Sequence, residues 1–284
     1  MSGRLIAEER EAAAVASDPR RTSRGPAPAS EIMAMLARRG IRATTTRPDV
    51  PFPSDLEETS AEAPCRPLNH YSFRLFLRGA ILRRGGFAPE ETTRYLTRQQ
   101  TRTLADSLVQ IGIARKISSN RFRLIGAARS FGGTLEWYVA RELRRRLGFD
   151  VATDLKLRAK GVGGDLDIVA AAEGKLIYIE LKSSPPKHLK PSELAAFLSR
   201  IDVVRPDVSL FVMDTALRLA DKVVPMLTAE MGIRGRPAAC VPRRIGRELW
   251  AITPHLYAVN SKPDLMSNIA RAVAEGIAAL WQGL

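Results

Sequence analysis

From His70 onward, blocks of apolar residues recur at spacings that reveal the local structure. In YSFRLFLRGAILRRGG, residues Phe73, Phe76, Leu77, Ala80 and Ile81 repeat at helical spacing, and Gly85 and Gly86 stop the run. APEETTRYL predicts a second helix, with Pro89 at its start and acids in its first turn. TRQQTRTLADSLVQIG predicts a third, striped by Leu104, Leu108 and Ile111, capped by Thr97 and ended by Gly112. Two alternating runs about Ser-Ser-Asn in IARKISSNRFRLIG then predict a β-hairpin.

Beyond Phe131 helix and strand alternate. GGTLEWYVARELRRRLG predicts a helix closed by Gly148, FDVATDLKLR a strand, and GDLDIVAAAEGKLIYIELK two strands about Glu173-Gly174. KPSELAAFLSRIDVV is helical and VSLFVMDT a buried strand. ALRLADKVVPMLTAEMG is a helix that Pro225 must kink or split. ELWAITPHLYAVN is extended but broken by Pro254, and SNIARAVAEGIAALWQGL is an amphipathic closing helix. This order, α-β-β-β-α-β and then α-β-α, predicts an α/β fold with a mixed sheet flanked by helices.

Residues 1–68 contrast with the rest, being rich in Pro, Ala, Ser and Thr and poor in aromatics. Too little apolar surface is available there to offset the entropy of ordering, so a weakly structured tail is expected. It holds one short helix, SEIMAMLARRG, in which Ile32, Met35 and Leu36 share a face and Gly40 ends the run; a docking helix is the sharper alternative. The expected organisation is a tail over 1–68, a small helical and hairpin domain over 69–128, and an α/β domain over 129–284.

The informative polar residues interrupt the apolar strands. Alternation puts Glu180 and Lys182 on one face of KLIYIELK with Leu176 and Tyr178, opposite Ile177, Ile179 and Leu181. Asp165 and Asp167 share a face of the preceding strand, opposite Leu166 and Ile168. A hairpin about Gly174 brings 165–167 opposite 180–182. On the helix 133–147, Leu135, Val139, Leu143 and Leu147 define the buried stripe; Glu136 falls inside that sector, while Arg146 near it can snorkel outward. Burying unpaired carboxylates costs several kcal/mol, so such a cluster calls for a counter-charge. Oxygen donors without Cys or His favour a hard ion, Mg²⁺ or Mn²⁺. The alternative is a set of salt-bridged, solvated strand ends.

Composition narrows the partners. With 44 Lys and Arg against 30 Asp and Glu, the chain carries a formal charge of +14, mostly from arginine, whose fork suits phosphate oxygens. Only two cysteines, Cys65 and Cys240, and three histidines are present, which excludes a disulfide framework or a zinc motif and suggests a reducing, cytoplasmic setting. No window approaches the roughly 20 apolar residues of a membrane span. The loop SSPPKHLKPSE offers Ser183, Lys187, His188 and Lys190 to a nucleic-acid backbone, or is merely a polar loop; RGRPAACVPRRIGR, with Arg243 and Arg244, invites the same pair of readings.

These residues carry two resemblances. Residues 70–126 resemble a winged helix-turn-helix, which implies that Arg98, Gln99 and Arg102 at the leading end of the third helix face a DNA groove and that Arg121 decorates the wing; many such modules instead bind protein. Glu136, GGDLDIVA with Asp167, and IYIELK with Glu180 and Lys182 resemble the PD-(D/E)XK nuclease superfamily, over about residues 131–215. The form of the motif is similar to that of Holliday-junction-resolvase-like nucleases.

That likeness implies a restriction-endonuclease-like core and a metal-dependent nuclease acting on duplex or branched DNA in repair, recombination or defence, with RNA a lesser expectation and a homodimer common among duplex-cutting members. It implies that Asp167, Glu180 and the Leu181 carbonyl hold Mg²⁺ (or Mn²⁺). Lys182 orients the attacking water, Glu136 supports the site through water or a second ion, and Asp165 is secondary. The competing expectation is a non-catalytic DNA-binding regulator that keeps a nuclease-like fold.

Overall fold

A computed structural model describes residues 30–45, 49–51, 66–126, 128–158, 163–235 and 241–282. Both cysteines and the N-terminal residues 1–29 lie outside the described residues, as do the central positions of the 234–247 arginine loop. The architecture belongs to the compact unit Glu31–Leu284.

Its centre is an eight-stranded mixed sheet. The strands are β1 (Ala43–Thr45), β4 (Asp150–Leu157), β5 (Asp165–Ala172), β6 (Lys175–Lys182), β7 (Val208–Met213), β8 (Arg243–Arg244), β9 (Leu249–Thr253) and β10 (Leu256–Asn260). They lie in the order β1-β4-β5-β6-β7-β10-β9-β8, while β2 (Ala114–Ser118) and β3 (Arg121–Leu124) form the separate hairpin. The run from β1 through β4 and β5 to β6 is antiparallel; β6–β7 and β7–β10 are parallel. Parallel neighbours need a crossover, and α5 (Pro191–Val204) and α6 (Val223–Ile233) follow β6 and β7 in chain order.

Alternation along β6 decides which helices cover which face. Ile177, Ile179 and Leu181 join one apolar cluster with α4 (Gly132–Leu147) and α7 (Leu265–Gln282). Leu176 and Tyr178 join the other, with α5, α6 and α1 (Glu31–Arg38). The mixed α/β sheet flanked by helices is therefore as the pattern predicts.

Three expectations are corrected. Residues 31–45, assigned to a weakly structured tail, form α1 and β1: Ile32, Met35 and Leu36 are buried against the sheet, and β1 pairs with β4. The Asp150 carboxylate accepts from the Ile32 N–H at 3.3 Å, and Gly40, at φ +73°, ends the turn. The amphipathic stripe was legible, but its partner is distant in sequence. Second, APEETTRYL forms only a 3₁₀ turn, Pro89–Glu91. A side chain on Gly79 of α2 (Tyr71–Leu82) would stand 1.9 Å from the Thr92 carbonyl, so the chain here lies flush against that helix. Third, Leu166 and Ile168, expected on one face, fall in different clusters, so the pleat of β5 shifts between them.

Elsewhere the breaks fall where proline puts them. Pro225 lies in the first turn of α6, leaving 216–222 outside it, and Pro254 sits in the turn between β9 and β10. Among the described residues no helix is long and apolar enough to cross a membrane.

Candidate functional site

Three carboxylates lie in a row across β4, β5 and β6. Thr153 pairs with Ile168 and Leu155 with Leu166, so Asp154 stands opposite Asp167. Ile168 pairs with Ile179, and one step further Asp167 faces Glu180. The β5–β6 ladder stops there, and the Asp167 carboxylate accepts the Leu181 N–H at 2.7 Å in its place. Glu136 reaches the same group from α4 and hydrogen-bonds Asp154.

The charges are unequal. Glu180 is almost fully buried, 2 % exposed, and well partnered: Lys182 Nζ lies 2.9 Å from Oε1, Arg200 Nη1 of α5 lies 2.8 Å from Oε2, and the Tyr178 hydroxyl donates to Oε2. Lys182 also approaches Glu193 at 3.6 Å. By contrast, burial first and the charge of Asp167 second push the Glu136 carboxyl up to about 9. Burial and Glu180 push Asp167 up to about 7, against the lowering effect of its bond from Leu181. Burial raises Asp154 as well, and its Oδ2 is buried without a hydrogen-bond partner among the described residues. Burial alone would lower the Lys182 ammonium, but Glu180 and Asp167 outweigh it and the net shift is upward. Lys182 is thus held as a cation in this arrangement.

Asp154 is the member sequence reasoning missed. Its φ of +50° is left-handed, a conformation that aspartate tolerates better than most side chains, and breaks the strict alternation of β4, so no period-two reading would aim it here. An acid in the middle of the strand next to that of Asp165 and Asp167 was the available signal. Arg200 was missed too, because an arginine near the end of an amphipathic helix looks solvated.

Of the remaining expected residues, Asp165, whose charge helps raise the Asp154 carboxyl, and Leu181, which bonds Asp167, border the acidic group, and the others disperse. Asp165 is half-buried at the start of β5, in register with Lys156. Leu181 is in parallel register with Val212. Arg98 and Gln99 are exposed at the start of α3 (Arg98–Gln110), whereas Arg102 turns back: it donates to Asn120 at 3.2 Å, approaches Asp106 at 3.6 Å and lies over the Phe122 ring. That contact fastens α3 to the hairpin. Arg121 is exposed and donates to the Gly86 carbonyl. Lys187 and Lys190 are exposed in the segment after β6, and Glu193 caps α5 by accepting from the Lys190 N–H. Arg146, near the stripe of α4, bonds Glu142 and, at 2.8 Å, Asn69. Arg243 approaches Glu275 at 3.6 Å and Arg244 folds onto the carbonyls of Gly246 and Arg247. Both lie on β8, the far edge of the sheet from β4–β6, so they do not join the acidic group.

Among the described residues no three His, Cys, Asp or Glu side chains form a ready-made cage for an ion. The donor chemistry nevertheless suits one: the group is all oxygen, it holds more carboxylates than nearby cations, and it contains an orphaned acceptor in Asp154.

No family model and no curated protein matches the sequence. In fold, the chain is similar to the protein VC1899 from Vibrio cholerae, with a TM-score of 0.52 and 14% identity, over 87% of this chain and 62% of that one. Can2 from Sulfobacillus thermosulfidooxidans, solved in complex with cyclic tetra-adenylate, aligns at a TM-score of 0.49 and 18% identity, over 87% of this chain and 60% of that one. The chain therefore spans about three fifths of the length of either protein.

Proposed function

We propose that the chain is a metal-dependent nuclease of the PD-(D/E)XK kind that hydrolyses phosphodiester bonds of DNA. The observation that carries this reading is the row Asp154–Asp167–Glu180 with Glu136 and Lys182 beside it: acids from one helix and three adjacent strands, Glu180 buried and the others half-buried, share a region with too few cations to neutralise them. Structural ion pairs are normally balanced, because an uncompensated buried carboxylate is costly. An excess of this kind is what a phosphodiester-cleaving site with a hard cation requires.

Asp167 and Glu180 would hold Mg²⁺ or Mn²⁺, with the Leu181 carbonyl between them. The ion would supply Lewis-acid polarisation of the scissile phosphate and an acidified water. Lys182, held as a cation, stabilises negative charge building up on the phosphate and orients the attacking water; its raised pKa argues against a role as proton acceptor. Glu136 and Asp154, hydrogen-bonded carboxyl to carboxyl, hold a proton at neutral pH that a bound ion would displace.

The segment 69–128 acts as a winged-helix module, placing Arg98, Gln99 and Arg121 toward DNA, while Lys187 and Lys190 flank the site just beyond Lys182. A single observation favours a second reading, a non-catalytic DNA-binding regulator: Glu180 is already saturated by Lys182, Arg200 and Tyr178.

The test is incubation of the full chain with single-stranded, duplex, branched and methylated DNA, and with RNA at equal salt, in Mg²⁺ or Mn²⁺. Cleavage of at least one DNA is expected. Lys182→Ala and Asp167→Asn should lower the rate by about 100-fold or more with folding intact. No cleavage of any substrate, or equal cleavage by both variants, rejects the enzyme.

A further inference from the structure

Arg200 has no task in the proposed reaction, yet its guanidinium sits among the acids. One edge is fixed. Nη1 donates to Glu180 Oε2 at 2.8 Å and to the Tyr178 hydroxyl oxygen at 3.4 Å, and Nε donates to the Gly163 carbonyl at 3.4 Å. The position is sterically reserved as well: Gly164, at φ +87°, leaves room where a Cβ would stand 2.6 Å from Nη2. The third nitrogen, Nη2, lies beside Gly164, none of the described residues accepts from it, and the side chain keeps 11 % exposure.

The side chain spends Nε and Nη1 on the protein and leaves Nη2, beside Gly164, without a described acceptor, next to Glu180 and within the same carboxylate group as Lys182. The guanidinium is a planar fork suited to two oxygens of one phosphate, which a lysine is not. Its hold on Glu180 is also conditional, because a divalent cation that takes Glu180 competes with Nη1 for the same carboxylate.

Resting on the nuclease reading, we propose that Arg200 grips a nucleic-acid phosphate through Nη2, and that a divalent cation arriving at Glu180 frees Nη1 for a second oxygen of that phosphate. Glu180 and the Gly163-Gly164 turn hold the fork ready until then. The side chain is in this sense a phosphate clamp stored on its own carboxylate.

The experiment compares the full chain with Arg200→Gln and Arg200→Lys, each checked for fold by circular dichroism. Duplex DNA affinity is titrated against salt in EDTA, Mn²⁺ binding is measured by calorimetry without DNA, and cleavage is resolved into KM and kcat. Arg200→Gln should weaken metal-free DNA binding about tenfold and reduce the magnitude of the salt slope by about one, the signature of a lost phosphate contact. It should bind Mn²⁺ at least as tightly as the parent, since a competing cation has gone. Arg200→Lys should keep the salt slope but, lacking the fork, show a raised KM. Unchanged DNA affinity and slope in Arg200→Gln, or weakened Mn²⁺ binding, would overturn the clamp while leaving the nuclease intact. A parent chain that binds no Mn²⁺ and cuts no DNA would overturn the nuclease reading, and the clamp with it.

Discussion

Two groups of buried charge meet the same strands and behave in opposite ways. Just past β7, Asp214 is fully buried, and its carboxylate meets Arg74 at 3.0 Å, Arg78 at 3.2 Å and the Ser261 hydroxyl at 2.6 Å. Arg74 also donates to the carbonyls of Leu68 and Asn69, and the Asp214 N–H donates to the Lys182 carbonyl at 2.8 Å. Here cations outnumber the single carboxylate, whose oxygens are all partnered, and the group pins α2 to the end of β6. Across β4–β6 the reverse holds: carboxylates outnumber cations, two of them are pushed far up, and Asp154 keeps an orphaned oxygen. Burial of charge alone therefore does not mark a site in this molecule. An excess of carboxylates does.

The sharpest way to break that comparison is Arg74→Met. It should cost about 3–5 kcal/mol in urea unfolding, because it strands Asp214 beside fewer partners, and Mn²⁺ should not restore the loss. A variant as stable as the parent would mean the Arg74–Asp214 group is not structural.

Glu136→Gln should act with the opposite sign, stabilising the metal-free chain by about 1–3 kcal/mol at pH 8. The folded state holds the Glu136 and Asp167 protons more tightly than the unfolded chain does. Stability is therefore greatest in acid and falls as pH rises from the ordinary carboxylate range through about 7 for Asp167 and about 9 for Glu136. Thermal midpoints across that range, with the parent falling and Glu136→Gln falling less, check both statements.

The smallest effect separates two arginines of α3. Arg98→Glu should weaken DNA binding several-fold and reduce the magnitude of the salt slope while leaving stability unchanged, since the side chain is exposed. Arg102→Glu should chiefly loosen the hairpin, through the lost Asn120 and Phe122 contacts.

What could be read from the sequence followed from periodicity. The two faces of β6, and with them the pairing of Glu180 with Lys182, rest on strict alternation over KLIYIELK, which the structure keeps. Glu136 was placed by helical phase and does reach the acidic group. The losses came where a period was broken or a partner was remote. The φ of Asp154 disrupts β4 and the pleat shift at Leu166 disrupts β5, so neither was visible as a phase. The burial of α1 depends on strands more than 100 residues away, and its short length hid it in a polar segment. Arg200 looked like surface because only the fold supplies Glu180 beneath it.

The central proposal is that the acids across β4–β6 bind a hard divalent cation, and calorimetric titration of the full chain with Mn²⁺ at pH 7 tests it most directly. Saturable binding, proton release and a raised thermal midpoint are expected, all lost in Asp167→Asn while Arg74→Met retains the binding. Absence of binding, or equal binding by Asp167→Asn, would contradict the account.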